Sequence, residues 1–165
     1  MNDGELKHQL IDLLKGNARL SAEQIADRLA TSPQKVEKLI QEMEADGTII
    51  GYCAVINEDF DGGDDVRAII EVQVEPERDG GFDRVARTIC KFDEVQSVYL
   101  VSGQYDLRLE VVGETLQEVA AFVASRLAPI EGIRATATHF LLKKYKVAGF
   151  RSEKDEDYER LKVSP

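Results

Sequence analysis

Sulfur and imidazole are scarce in this 165-residue chain, which has two cysteines and two histidines. Cys53 and Cys90 are too few and too far apart for a disulfide framework or a zinc site. Both sit among apolar neighbours and read as small buried hydrophobes. His8 and His139 stand alone, and a lone histidine reads as structural rather than as a ligand. No metal or cofactor is therefore expected. Long apolar runs are missing too. The longest, at residues 119–124, is bounded by polar residues and falls far short of the roughly 20 that span a bilayer. The opening MNDGELKHQL has no basic stretch followed by an apolar core, so no signal peptide is expected, and the protein is expected in the cytoplasm. Positive charge is short as well: 21 Lys and Arg stand against 31 Asp and Glu, a net charge of -10. Phosphate contacts need a basic face, so a case for DNA has to come from local pattern.

What is present is ordinary for a globular protein, with 43% apolar and 32% charged residues, and the length allows one medium domain or two small ones. Leu6, Leu10, Leu13 and Leu14 recur at helical spacing and predict an amphipathic helix over residues 5–15, ended by Gly16-Asn17. Ser21 with Gln24 fits a capping box, which opens a second helix with Ile25, Ala26 and Leu29 inward. Thr31-Ser32-Pro33 stops that helix and starts a third. Ser32 suits the N-cap, and Pro33 suits the first helical position, where its missing amide is no loss. Val36, Leu39, Ile40 and Met43 give the third helix its apolar face, and Asp46-Gly47 closes it. Residues 48–56 alternate as a strand would. The acidic, glycine-bearing NEDFDGGDD at 57–65 reads as a linker.

Beyond the linker a strand-helix-strand order occurs twice. Strands are expected at 66–74, 95–102, 105–112 and 133–146, with a tight turn at Gly103-Gln104. Phe82, Val85, Ala86 and Ile89 mark one helix. Thr115 with Glu118 opens another by a capping box, with Leu116, Val119, Ala120, Val123 and Leu127 inward. This βαββαβ order is the ferredoxin-like pattern of an α+β protein, with helices on one face of a four-stranded antiparallel sheet. Ile69, Val98 and Leu100 read as apolar residues on the other face. The simplest cover is a second copy in a two-fold dimer; scattered exposed apolar residues are the alternative. The expected division is residues 1–60 with the linker strand, 61–150, and a charged tail, mobile or loosely helical, at 151–165.

Three helices with a short turn between the second and third, followed by a strand, read as a winged helix-turn-helix whose third helix enters the major groove. Ser32 opens that helix, and Gln34, Lys35, Lys38 and Gln41 are its outward positions, of the types that reach base edges and phosphates. Residues 1–50 hold six basic side chains against nine acidic ones, a net of -3, so a protein-binding module with a solvated face stays open beside DNA.

The string NARLSAEQIADRLATSPQKVEKLIQEMEADGTIIGY resembles the helix-turn-helix of the Lrp/AsnC, or feast/famine, regulators. Residues 101–107, VSGQYDL, resemble the Gly-x-Tyr-Asp turn of that family's RAM domain. The resemblance covers all but the last fifteen or so residues. It implies a transcriptional regulator rather than an enzyme, binding double-stranded DNA, dimerising through the RAM sheet and often building octamers. It also implies an amino acid or related metabolite as effector, bound between dimers near that turn. The matching positions are Ser102, Gly103, Tyr105 and Asp106, with Thr136 and Thr138 on the last strand as neighbours. Glycine permits close backbone approach and a carboxylate can pair with a ligand ammonium; a turn glycine followed by an ordinary strand aspartate is the plainer reading of the same residues. Two alternatives to the regulator are an assembly module without DNA binding and a siroheme-decarboxylase-like subunit. The latter calls for histidines around a tetrapyrrole, of which only His8 and His139 are on offer.

Overall fold

The computed structural model describes residues 2–56, 65–75 and 81–151. The chain divides into two compact units, Met1–Val55 and Ile56–Pro165. The expected linker, apart from Asp65, and the expected tail beyond Arg151 lie outside the described residues.

The first unit is three helices, α1 (Asp3–Gly16), α2 (Ala22–Leu29) and α3 (Pro33–Ala45). Their apolar stripes meet in one core of Leu6, Leu10, Ile25, Ala26, Val36, Leu39 and Met43. The starts of α2 and α3 are fixed by side chains. Ser21 Oγ accepts the Gln24 amide at 3.2 Å while Gln24 Oε1 accepts the Ser21 amide at 3.0 Å, the reciprocal pairing of a capping box. Ser32 Oγ accepts the Lys35 amide at 3.3 Å, with Pro33 at the first turn. The turn between α2 and α3 bends through Ala30, which sits in the left-handed region at φ 50°. Gly47, at φ 77°, closes α3 without the Cβ penalty.

The strand expected at 48–56 does not form. The Ile49 amide turns back to the Met43 carbonyl at 2.8 Å. Residues 51–56 carry no regular structure, and Ile50 is 97% exposed. Alternation alone does not make a strand; it needs a partner edge, and none of the described residues provides one.

The second unit is an antiparallel sheet of order β2-β3-β1-β4, with β1 Val66–Val74, β2 Val95–Leu100, β3 Leu107–Gly113 and β4 Ile133–Phe140. Two helices lie between strands, α4 (Gly81–Ile89) and α5 (Leu116–Phe122), the latter running on into a π-helical turn at Val123–Leu127. The core joins Ala68, Ile70, Val72 and Val74 of β1 and Leu107, Leu109 and Val111 of β3 to Val85, Ile89, Val119, Phe122 and Leu127 of the helices. This is the ferredoxin-like arrangement that the order of elements predicts.

Register corrects the reading of the faces. Val98 is opposite Leu109 and Leu100 opposite Leu107. Both therefore point to the helix-covered side, because partners across a ladder share a face. The open face carries Ile69, Tyr99 and Val112, with Glu71 and His139 paired at 3.4 Å. The helix α5 also differs in detail. Leu116 is 51% exposed and Ala120 is exposed, whereas Phe122, absent from the expected inward set, is buried. Thr115 Oγ1 takes the Glu118 amide at 3.1 Å, but Glu118 reaches back to the amide of Glu114 rather than that of Thr115. Both cysteines are exposed rather than buried. The last strand ends at Phe140, short of the expected 146, and a small hairpin of β5 (Lys146–Val147) and β6 (Phe150–Arg151) follows. Ala148 and Gly149 both have positive φ in its two-residue turn, the backbone that matches strand twist in tight hairpins.

Candidate functional site

The exposed surface of α3 follows from its buried one. With Val36, Leu39 and Met43 in the core, Gln34, Lys38 and Gln41 fall on the opposite side at spacings of four and three and are exposed. Ser32 is the N-cap of α3, its oxygen engaged in the cap. Lys35 is turned aside: it is half-buried, and its Nζ lies 2.7 Å from Asp3 Oδ1 of α1. That bond, then the lysine's charge, holds the Asp3 carboxyl below its usual value. Lys38 Nζ lies 3.9 Å from Glu42, which Lys7 also reaches at 3.2 Å. Lys7, Lys35 and Lys38 thus each have an acidic neighbour. Such exposed pairs are screened by water and weak, so a phosphate can displace the carboxylate at small cost. At the far end of α3 the Tyr52 hydroxyl donates to Glu44 at 2.9 Å; burial first, then the bond to Glu44, push this phenol above its usual range. No local motif signals this bond, because it depends on a segment that reads as strand turning back towards α3.

In the second unit Ser102, Gly103, Tyr105 and Asp106 come together in the turn between β2 and β3. Gly103 has φ 146° with nothing within 4 Å of the place a Cβ would take. The backbone conformation, not lack of room, is what calls for glycine there. Asp106 is the keystone of the turn. Its amide donates to the Val72 carbonyl at 3.0 Å, its carbonyl accepts from the Val101 amide at 2.9 Å, and Oδ2 accepts from the Val74 amide at 2.8 Å. Gln73 Nε2 adds a bond to the Gln104 carbonyl at 2.9 Å. One carboxylate oxygen is therefore already committed to the backbone of β1, a role that no local motif could show. Thr136 pairs with Val72 and Thr138 with Ile70, on the other side of β1 and on the helix-covered face. Within one chain, Thr136 is two strand spacings, about 10 Å, from Asp106, and Thr138 is further along. A separate groove of about 220 Å³ runs between α4 and β2 over Val98, Leu100 and Leu107, with Asp83, Arg87 and the exposed Cys90 at its rim.

Among the described residues no cluster of His, Cys, Asp and Glu could hold a metal ion, and no helix is long and apolar enough to cross a membrane.

Comparison with known proteins gives a match in each unit. Residues 5–50 match the winged helix-turn-helix DNA-binding model and residues 67–149 the Lrp/AsnC ligand-binding domain. A Bacillus subtilis protein named YugG, an uncharacterised HTH-type transcriptional regulator, is 40% identical over 98% of both chains. Among solved structures, E. coli AsnC superposes with a TM-score of 0.64 at 21% identity, over 87% of this chain and 94% of that one. A transcriptional regulator of Neisseria meningitidis, solved as a complex with L-Met, superposes at 0.67 and 22% identity, over 86% and 91%.

Proposed function

This chain belongs to the Lrp/AsnC family of transcriptional regulators, and from that premise we propose how its residues do the work. The first unit holds double-stranded DNA by α3. Gln34 and Gln41 read base edges, while Lys38, and Lys35 once released from Asp3, meet phosphates. Ser32, at the N-terminus of α3, offers a further phosphate contact where the helix end favours negative charge. The observation that carries this reading is the single exposed face on which Gln34, Lys38 and Gln41 lie, in a unit whose two caps fix the angle of that helix. A gel shift at low salt, with the DNA upstream of the protein's own gene, tests it. A retarded band that Lys38→Ala weakens supports the reading; no band at any concentration refutes it and leaves an assembly module.

In the second unit an amino acid or related metabolite binds at the β2–β3 turn. Gly103 leaves the backbone open, Ser102 and Tyr105 offer hydroxyls, and Asp106 offers its second oxygen to an ammonium group while the first holds the turn in place. Thr136 and Thr138 stand on the opposite edge strand, so in this reading they reach the site from a neighbouring copy. The Neisseria relative solved with L-Met supports the ligand class. Dimers form through the open sheet face, where Tyr99 is 49% exposed, and dimers assemble further into octamers around the turn. A ligand held between copies then shifts assembly by its differential affinity for the two states. The protein works in the cytoplasm, where its DNA is.

A further inference from the structure

The second unit leaves apolar surface uncovered on the helix side of its sheet. Leu100 pairs with Leu107 and so points to that side. Leu107 is buried there, yet Leu100 is 66% exposed. The seating of α4 explains this. Val85 and Ile89, four residues apart, are fully buried and fix the helix on the core. Phe82 and Ala86 fall on its shoulder, half-buried, and the end of β2 stays open beside them. What remains is the groove of about 220 Å³, floored by Val98, Leu100 and Leu107 and walled by Phe82 and Ala86. Opposite charges stand at its lip. Asp83 and Arg87 are exposed and four residues apart on α4, a spacing that sets their Cβ atoms about 5–6 Å from each other. They could pair, but among the described residues no hydrogen bond or ion pair joins either side chain to the other or to a neighbour. Ser102, Gly103, Tyr105 and Asp106 do not line this groove, and every residue that does comes from one chain.

We propose that this groove is a second small-molecule site, separate from the β2–β3 turn, and that it takes an α-amino acid with an apolar side chain. The side chain lies over Val98 and Leu100. The ammonium group meets the Asp83 carboxylate, and the carboxylate meets the Arg87 guanidinium, whose planar fork suits it. An apolar floor with a few convergent polar groups is the usual make-up of a ligand site. Size agrees as well: sites for drug-sized ligands run to about 300–1,000 Å³, and this groove is smaller. Cys90, exposed at its rim, serves as the reporter, and Cys53, exposed in the first unit, as the control. The full chain is alkylated with iodoacetamide, and the rate at each cysteine is followed by peptide mass spectrometry. The probes are L-leucine, L-phenylalanine, L-glutamate and 3-phenylpropanoate. L-Leucine and L-phenylalanine should slow Cys90 severalfold, saturably, and leave Cys53 unchanged. L-Glutamate and 3-phenylpropanoate should not protect at the same concentrations. Asp83→Asn and Arg87→Gln, with unchanged far-UV circular dichroism, should each need at least about tenfold more amino acid for half protection, since each removes a charged partner. A Cys90 rate that no probe alters overturns the proposal. Equal protection by 3-phenylpropanoate overturns it too, because the ammonium is then not read. Protection that rises with protein concentration and needs no probe places a second copy on the groove, and the proposal fails. Protection lost in Ser102→Ala/Tyr105→Phe but kept in Asp83→Asn belongs to the turn; it strikes out the second site and leaves the reading of the turn standing.

Discussion

Replacing Asp106 with alanine perturbs the turn in a way the structure makes calculable. The change leaves the Val74 amide without its acceptor at a half-buried position. Stranding a buried donor costs about 1–3 kcal/mol, with the upper part expected because the acceptor is ionised. The backbone bonds of residue 106 to Val72 and Val101 persist, so the sheet should survive. For a unit of this size, 2 kcal/mol lowers the melting temperature by roughly 8–16 °C. Locally, amide exchange at Val74 and Val101 should rise by tenfold or more, since each 1.4 kcal/mol is about a factor of ten. Asp106→Asn keeps an acceptor oxygen and should lose about half as much. The assay is thermal unfolding followed by circular dichroism, paired with residue-resolved hydrogen exchange, with and without each of the twenty amino acids. An Ala variant as stable as the wild type and equally protected at Val74 would refute the keystone role. An Ala variant that is destabilised yet responds to an amino acid with undiminished affinity would separate the keystone from the ligand site and sink the latter.

Other perturbations carry clear signs. Asp3→Asn should release Lys35, tighten DNA binding and steepen its salt dependence by about one contact; unchanged binding would place Lys35 off the DNA. Because Lys35 holds the Asp3 carboxyl below its usual value, its stabilising effect is present above that usual value and fades as pH falls through the lower folded one. Acid titration of the Asn variant should lack this component. Ala30→Gly should raise stability by about 0.5–1 kcal/mol, since Ala30 at φ 50° carries a left-handed penalty of roughly 1–2 kcal/mol, partly offset by the freer unfolded chain. A drop in the melting temperature would contradict that account. Leu10→Ala should cost about 2–5 kcal/mol by cavity formation, because Leu10 is fully buried between the helices; urea unfolding of the full chain measures it.

What could be read from the sequence depended on whether a signal was local. The three helices and both caps of the first unit were legible, because capping chemistry and periodicity act within a few residues. The βαββαβ order was legible for the same reason. Face assignment was not. Val98 and Leu100 were placed on the open face, but their side is set by pairing with Leu109 and Leu107, a register that depends on the β2–β3 turn. The strand expected at 48–56 failed because alternation says nothing about whether a partner edge exists. Phe122 lies three residues after Val119 on the same helical stripe, so its burial was open to the spacing argument although the expected stripe omits it. In the turn, glycine and aspartate were visible as a motif, but the grip of Asp106 on Val74 joins residues 32 positions apart, beyond any local pattern. The acidic neighbours of Lys35 and Lys38 divide in the same way: Glu42 lies one turn from Lys38, whereas Asp3 reaches Lys35 only through the packing of α1.

The central claim is that α3 reads DNA. Its most direct test is fluorescence anisotropy at fixed low salt with two duplexes, the region upstream of the protein's own gene and a mixed-sequence control. The wild-type chain should prefer the upstream duplex. Gln34→Ala/Gln41→Ala should erase that preference while leaving the weaker, salt-dependent binding to both, because base contacts specify and phosphate contacts only position. A double variant that still discriminates between the duplexes as the wild type does would contradict the assignment of α3 as the reading helix.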